Sequence, residues 1–63
     1  MTRAEVYHAW VAADDLWHDE LTRRFGDDAG DARYDQRGGR SEELHELRKR
    51  YRALGERWHD LRR

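Results

Sequence analysis

The chain has 63 residues, which is enough for one domain with a small core. It has no cysteine, which excludes disulfides and thiolate metal sites, so self-association is the simplest remaining source of added stability. With 13 basic and 14 acidic residues the net charge is -1, which disfavours a dedicated DNA-binding protein. Neither a long apolar run nor a signal peptide is evident, so we expect a cytoplasmic protein without membrane contact.

The first helix is predicted over residues 3–25. Thr2 and Glu5 have the spacing of a capping box, and Gly26 can end the helix in the left-handed conformation. Asp14 lies at the edge of the apolar arc, where we expect its carboxylate to accept a hydrogen bond from Tyr51 or from an arginine. At about 100° per residue, the apolar side chains share one arc: Val6, Trp10, Ala13, Trp17, Leu21 and Phe25.

The second helix is predicted over residues 42–62, with Ser41 as its N-cap. Gly55 lies inside this helix, where glycine costs about 1 kcal/mol relative to alanine. We therefore expect it to make room for the Trp10 ring. The apolar residues alternate by three and four as a heptad seam: Leu44, Leu47, Tyr51, Leu54, Trp58 and Leu61.

Residues 26–40 form the connection, which holds four of the five glycines. A structureless loop of this length is uncommon in a compact domain. We therefore predict a short helical turn over residues 29–36, with Tyr34 folded onto the ends of the long helices.

Together these elements predict an all-α fold, an antiparallel two-helix hairpin that forms a single domain. Two helices cannot fully cover apolar stripes that include three tryptophans. We therefore predict a homodimer in which two hairpins form a four-helix bundle. The apolar residues of both stripes are the predicted core and dimer interface.

The four histidines each follow an acidic residue by three positions, and Glu-x-x-His is a ligand pattern of di-iron helical bundles. In those bundles the ligands point inward, whereas most of these pairs fall on outer helix positions. We therefore predict exposed side-chain pairs and no bound metal. The pairs are Glu5 and His8, Asp15 and His18, Glu42 and His45, and Glu56 and His59.

The loop acids lie between two helices, as the ligands of a calcium-binding loop do: Asp27, Asp28, Asp31 and Asp35. Counting from Asp27, however, Gly38 occupies the position of the bidentate glutamate. Turn and cap roles fit these acids better. We predict no cofactor.

Residues 48–52 form a basic run, Arg-Lys-Arg-Tyr-Arg. The preferred interpretation is a solvated face that pairs with acidic residues of the first helix. The alternative is contact with nucleic acid through four arginines: Arg48, Arg52, Arg57 and Arg62.

Catalytic residues are not evident in the sequence. There is no cysteine, the lone serine is the predicted N-cap, and no glycine-rich loop follows a strand. We therefore expect a protein that is not an enzyme.

The Asp-Ala-Arg-Tyr sequence within residues 30–38, followed by the leucine repeat of residues 41–47, resembles small uncharacterised helical-hairpin accessory proteins of bacterial plasmids, integrative elements and phages. The resemblance implies an accessory role, such as binding and modulating a host or element-encoded protein. It also implies an architectural loop, in which the Tyr34 ring packs between helix ends and Arg33 pairs with Asp31 or Asp35. The alternative is that Arg33 and Tyr34 are exposed partner contacts.

The leading hypothesis is a non-enzymatic protein–protein interaction module, such as a mobile-element inhibitor or adaptor of the anti-defence or anti-CRISPR type. Two alternatives stay open: a dimeric nucleic-acid-binding regulator that uses the second helix, and a metal-binding bundle. The predicted partner is a protein. Its candidate contacts are Arg33, Tyr34, Arg37, Arg48 and Arg52.

Overall fold

The computed structural model describes residues 2–62. They form an all-α hairpin, as predicted, and the bounds of the two long helices agree with the sequence. Helix α1 spans Arg3–Phe25, α2 spans Ala29–Ala32 and α3 spans Glu42–Arg62, with 3₁₀ turns at Gly26–Asp28 and Gln36–Gly39.

Side-chain caps fix the start of both long helices. The Glu5 N–H donates to the Thr2 hydroxyl at 3.1 Å, and the Thr2 N–H donates to the Glu5 carboxylate at 3.2 Å, which confirms the capping box. The Leu44 N–H donates to the Ser41 hydroxyl at 3.1 Å, which confirms Ser41 as the cap of α3. Gly26 ends α1 with φ 58° and ψ -125°, a conformation open to glycine but different from the predicted left-handed helical one.

Helices α1 and α3 are antiparallel. The rings of Trp10 and Trp58 are 5.4 Å apart near the open end, and those of Trp17 and Tyr51 are 5.3 Å apart in the middle. At the same level as Trp10, a Cβ on Gly55 would lie 3.0 Å from the indole Nε1. The absence of a side chain at Gly55 therefore lets this indole lie on the α3 backbone, as predicted.

The core is centred on Trp17, Leu21 and Leu44, which are at most 3% exposed. Ala29 and Ala32 from the connection complete this cluster, so the connection forms part of the core and is not a loop exposed along its whole length. Of the other predicted core residues, Val6 is buried and most others are half-buried: Trp10, Phe25, Leu47, Tyr51, Leu54 and Trp58.

Leu61 is the exception, because it is 37% exposed. It repeats Leu47 and Leu54 at intervals of seven residues, so the three form one row along the edge of the α3 seam. On α1, Leu16 is 54% exposed and lies about 160° around the helix from Asp14, the residue that Arg33 of the connection contacts. We call these four leucines the leucine face; residues 26–40 cover the opposite side of the hairpin.

Candidate functional site

Trp17 holds the connection against α1. Its buried indole N–H donates to the Gly38 carbonyl at 2.9 Å. Within the connection, the backbones of Gly38 and Ala32 are so close that a Cβ on Gly38 would lie 2.6 Å from the Ala32 carbonyl oxygen. The end of the connection is therefore fixed at a single point by an indole from the middle of α1.

Arg33 links the connection to both long helices. Its guanidinium lies 4.8 Å from the ring centre of Trp17 and 4.9 Å from that of Tyr51, and it forms an ion pair with Asp14. Partial burial acts to lower the pKa of Arg33, but its contacts with the Asp14 carboxylate and the Tyr51 hydroxyl outweigh this effect and raise the pKa.

Asp14 therefore meets an arginine at the seam edge, as predicted, whereas the expectation that Arg33 pairs with Asp31 or Asp35 is wrong. The two ring faces and Asp14 offer the guanidinium cation–π contacts and a carboxylate at once. An acid on the loop surface offers only a solvated pair.

Tyr34 is 86% exposed, so the prediction that its ring folds onto the helix ends is also wrong. Arg33 occupies the inward position over the aromatic rings. Because neighbouring residues of a helical turn point about 100° apart, the next side chain is directed to solvent. The structure thus matches the exposed alternative for Tyr34 rather than the architectural one.

An open cleft lies between Tyr34 and α3. We call it the arginine cleft; it is lined by Trp17, Arg33, Tyr34, Arg48, Tyr51 and Arg52. The Arg48 guanidinium lies directly on the Gly39 backbone, where a Cβ would overlap it. Four of the five predicted partner contacts thus line one cleft.

Arg37 is the fifth predicted contact, and it does not line the arginine cleft. Its guanidinium donates to Asp35 at 2.8 Å and lies 5.7 Å from the ring centre of Phe25. This pair lowers the pKa of Asp35 and raises that of Arg37. Arg37 thus closes a local turn at the loop end of the hairpin.

The basic run on α3 makes no ion pair with any residue from 2 to 62, so the prediction of a salt-bridged face is wrong. The acids of α1 are engaged elsewhere or point away. Glu20 accepts from Arg23 and Arg24, which lowers its pKa to about 2. Asp15 and Asp19 are each two residues from Trp17, about 160° around the helix and away from α3.

The four arginines proposed for nucleic-acid contact do not share one surface. Arg57 is five residues from both Arg52 and Arg62, which places it about 140° around α3 from each. The Arg62 guanidinium instead lies 4.7 Å from the ring centre of Trp58. Only Arg48 and Arg52, one helical turn apart, form an adjacent pair.

Two of the four histidines, His8 and His59, lie beside aromatic rings, a role that the sequence reasoning missed. The His59 ring centre is 5.8 Å from that of Trp10, and the His8 ring centre is 6.0 Å from that of Tyr7. Across residues 2–62, no three histidine, aspartate or glutamate side chains converge as metal ligands would. Over the same range, no helix has the length and apolar character needed to cross a bilayer.

Comparison with known proteins gives no match to a family model, a curated protein or a solved structure. The resemblance to mobile-element accessory proteins therefore remains a prediction. What bears on function is the surface that residues 2–62 present: the arginine cleft, the exposed Tyr34 ring and the leucine face.

Proposed function

We propose that this chain is a non-enzymatic protein–protein interaction module. The supporting observation is Tyr34, which is 86% exposed although its connection is clamped through Trp17 and Gly38. A large side chain on an ordered backbone loses little conformational freedom on binding. Tyrosine and arginine are also enriched among residues that dominate binding energy.

The shape of the surface supports binding to a protein. The arginine cleft and its neighbour on α3 are both open to solvent. An open surface suits contact with another macromolecule, whereas catalysis and small-ligand binding favour an enclosed pocket. We further propose a cytoplasmic accessory role, of the inhibitor or adaptor type encoded by mobile elements.

A second part of the proposal is a homodimer formed through the leucine face. Its row of leucines runs along α3, and Leu16 adds an apolar side chain from α1 that is 54% exposed. Apposing two such faces would bury both rows and form a four-helix bundle. Complete burial of a fully exposed leucine contributes about 1.5–3 kcal/mol, and even part of that gain matters to a chain this small.

The dimer is tested by mass in solution. Sedimentation equilibrium at micromolar concentration is expected to give twice the mass of the chain, and Leu16→Glu is expected to give the monomer mass because it buries a charge in the interface. Val11→Glu is the matched control, since Val11 is 43% exposed on the opposite side and should leave the dimer intact. A single-chain mass for the unchanged protein would contradict the proposal.

The protein partner is tested by affinity capture from the source organism. The unchanged chain is expected to recover a specific protein, and Tyr34→Ala should weaken that binding by about thirtyfold, the effect of a hot-spot residue. Tyr7→Ala is the matched control, because Tyr7 is 42% exposed at the open end of the hairpin. Recovery of nucleic acid without protein would instead favour the regulator that binds through α3.

A further inference from the structure

The arginine cleft holds positive charge that has no partner among residues 2–62. Arg48 is half-buried against Gly39, and Arg52 lies one turn further along α3. Neither guanidinium makes an ion pair or a hydrogen bond within the described residues. A half-buried charge without a counter-ion gains most from an anion that arrives from outside the chain.

Arg33 differs from this pair, although it lines the same cleft. Asp14 already neutralises it, and the Trp17 and Tyr51 rings fix its position. The donors available to a ligand are therefore those of Arg48 and Arg52. Side chains four residues apart on a helix are neighbours, about 5–6 Å apart at Cβ. The two guanidiniums can therefore donate hydrogen bonds to the same carboxylate or to two adjacent ones.

The positive patch is short. The neighbouring cleft on α3 is lined by Arg48, Lys49 and Arg52, and Glu56, one turn beyond Arg52, adds a negative charge at its end. From Arg48 to Arg52 the helix rises about 6 Å. Nucleic acid binds best to a patch that neutralises several successive phosphates, whereas one helical turn matches one or two carboxylates.

We propose that the arginine cleft binds an acidic segment of the protein partner. Arg48 and Arg52 donate to the carboxylates of that segment, while the exposed ring of Tyr34 packs against its aliphatic parts. This assignment rests on the proposed function and adds the chemistry of the partner: a glutamate- or aspartate-rich stretch of a few residues.

The test uses the whole chain and a hexaglutamate peptide as the probe. Titration is expected to shift the Nε–H resonances of Arg48 and Arg52 in ¹H–¹⁵N spectra. The double variant R48Q/R52Q should bind at least about tenfold more weakly, because charge-assisted hydrogen bonds are lost. The variant R57Q is the matched control; it also loses an arginine of α3, but about 140° around the helix from Arg52, and should bind like the unchanged chain.

Three results with these probes would overturn the assignment: unshifted Arg48 and Arg52 resonances, equal weakening by R57Q, or tighter binding of the single-stranded hexanucleotide dT6 than of hexaglutamate at the same ionic strength. Far-UV circular dichroism of R48Q/R52Q separates lost binding from lost folding. If R48Q/R52Q still captures the Tyr34-dependent partner at full strength, this assignment fails while the protein-binding function stands. Capture of no protein by the unchanged chain removes that function itself.

Discussion

Trp17→Ala is expected to leave much of the chain unfolded at 25 °C. Trp17 is 3% exposed, contacts the Tyr51 ring and donates the one hydrogen bond that ties its indole to Gly38. Removing a buried tryptophan side chain costs about 3–5 kcal/mol. A single core in a chain this small rarely supplies more than about 3–5 kcal/mol, so the loss is comparable to the whole margin.

Trp17→Phe separates the hydrogen bond from the volume of the ring. It keeps an aromatic ring in the core but leaves the buried Gly38 carbonyl without its donor, which costs about 1–3 kcal/mol. Trp58→Phe is the control, because the Trp58 ring is only half-buried. The measurement is urea unfolding followed by far-UV circular dichroism at one protein concentration, since dimerisation shifts the midpoint. A midpoint for Trp17→Ala equal to that of the unchanged chain would contradict the role of this residue.

The long helices could be predicted because their causes are local. Thr2 and Glu5 satisfy each other's backbone donors three residues apart, and Ser41 does the same for Leu44. The spacing of three and four in each stripe places the apolar side chains on one face wherever the partner helix lies. The need of Asp14 for a partner was also visible, because a carboxylate at an apolar seam must find a donor.

The inward and outward roles of Arg33 and Tyr34 could not be predicted. They directly follow the four-residue helix α2, and this stretch is too short for a periodic pattern. A tyrosine ring is the natural choice for a hydrophobic site. The site between Trp17 and Tyr51 instead accepts a flat cation, because Asp14 stands beside the two ring faces.

The burial of Ala29 and Ala32 could not be predicted from the sequence for a related reason. Alanines give little signal in a polar segment, yet their small side chains let α2 lie close to Trp17 and Leu21. The unpaired charge of Arg48 and Arg52 was hidden because opposite charges in a sequence do not show which partners meet. Glu20 of α1 forms its ion pairs with Arg23 and Arg24 of α1 and none with the basic run of α3.

Gly38→Ala is expected to have an effect similar to Trp17→Ala, although it adds one methyl group. Its Cβ would lie 2.6 Å from the Ala32 carbonyl oxygen, 3.2 Å from that of Arg33 and 3.3 Å from Trp17 Cζ2. Two of these atoms are backbone oxygens of the connection itself, so the Gly38 segment must shift away from Ala32 and Arg33 and give up the hydrogen bond from the Trp17 indole. Overpacking and the lost hydrogen bond each cost about 1–3 kcal/mol, which urea unfolding will measure.

The same substitution at Gly30 should have the opposite sign. A Cβ on Gly30 meets nothing within 4 Å, and the residue lies in α2, where alanine is favoured over glycine by about 0.5–1 kcal/mol. Equal shifts in the two unfolding midpoints would show that the contact between Gly38 and Trp17 does not fix the connection. If the contact between Gly38 and Trp17 does fix the connection, Gly38→Ala should also weaken capture of the protein partner, because Tyr34 belongs to the displaced segment. Gly30→Ala should leave capture unchanged.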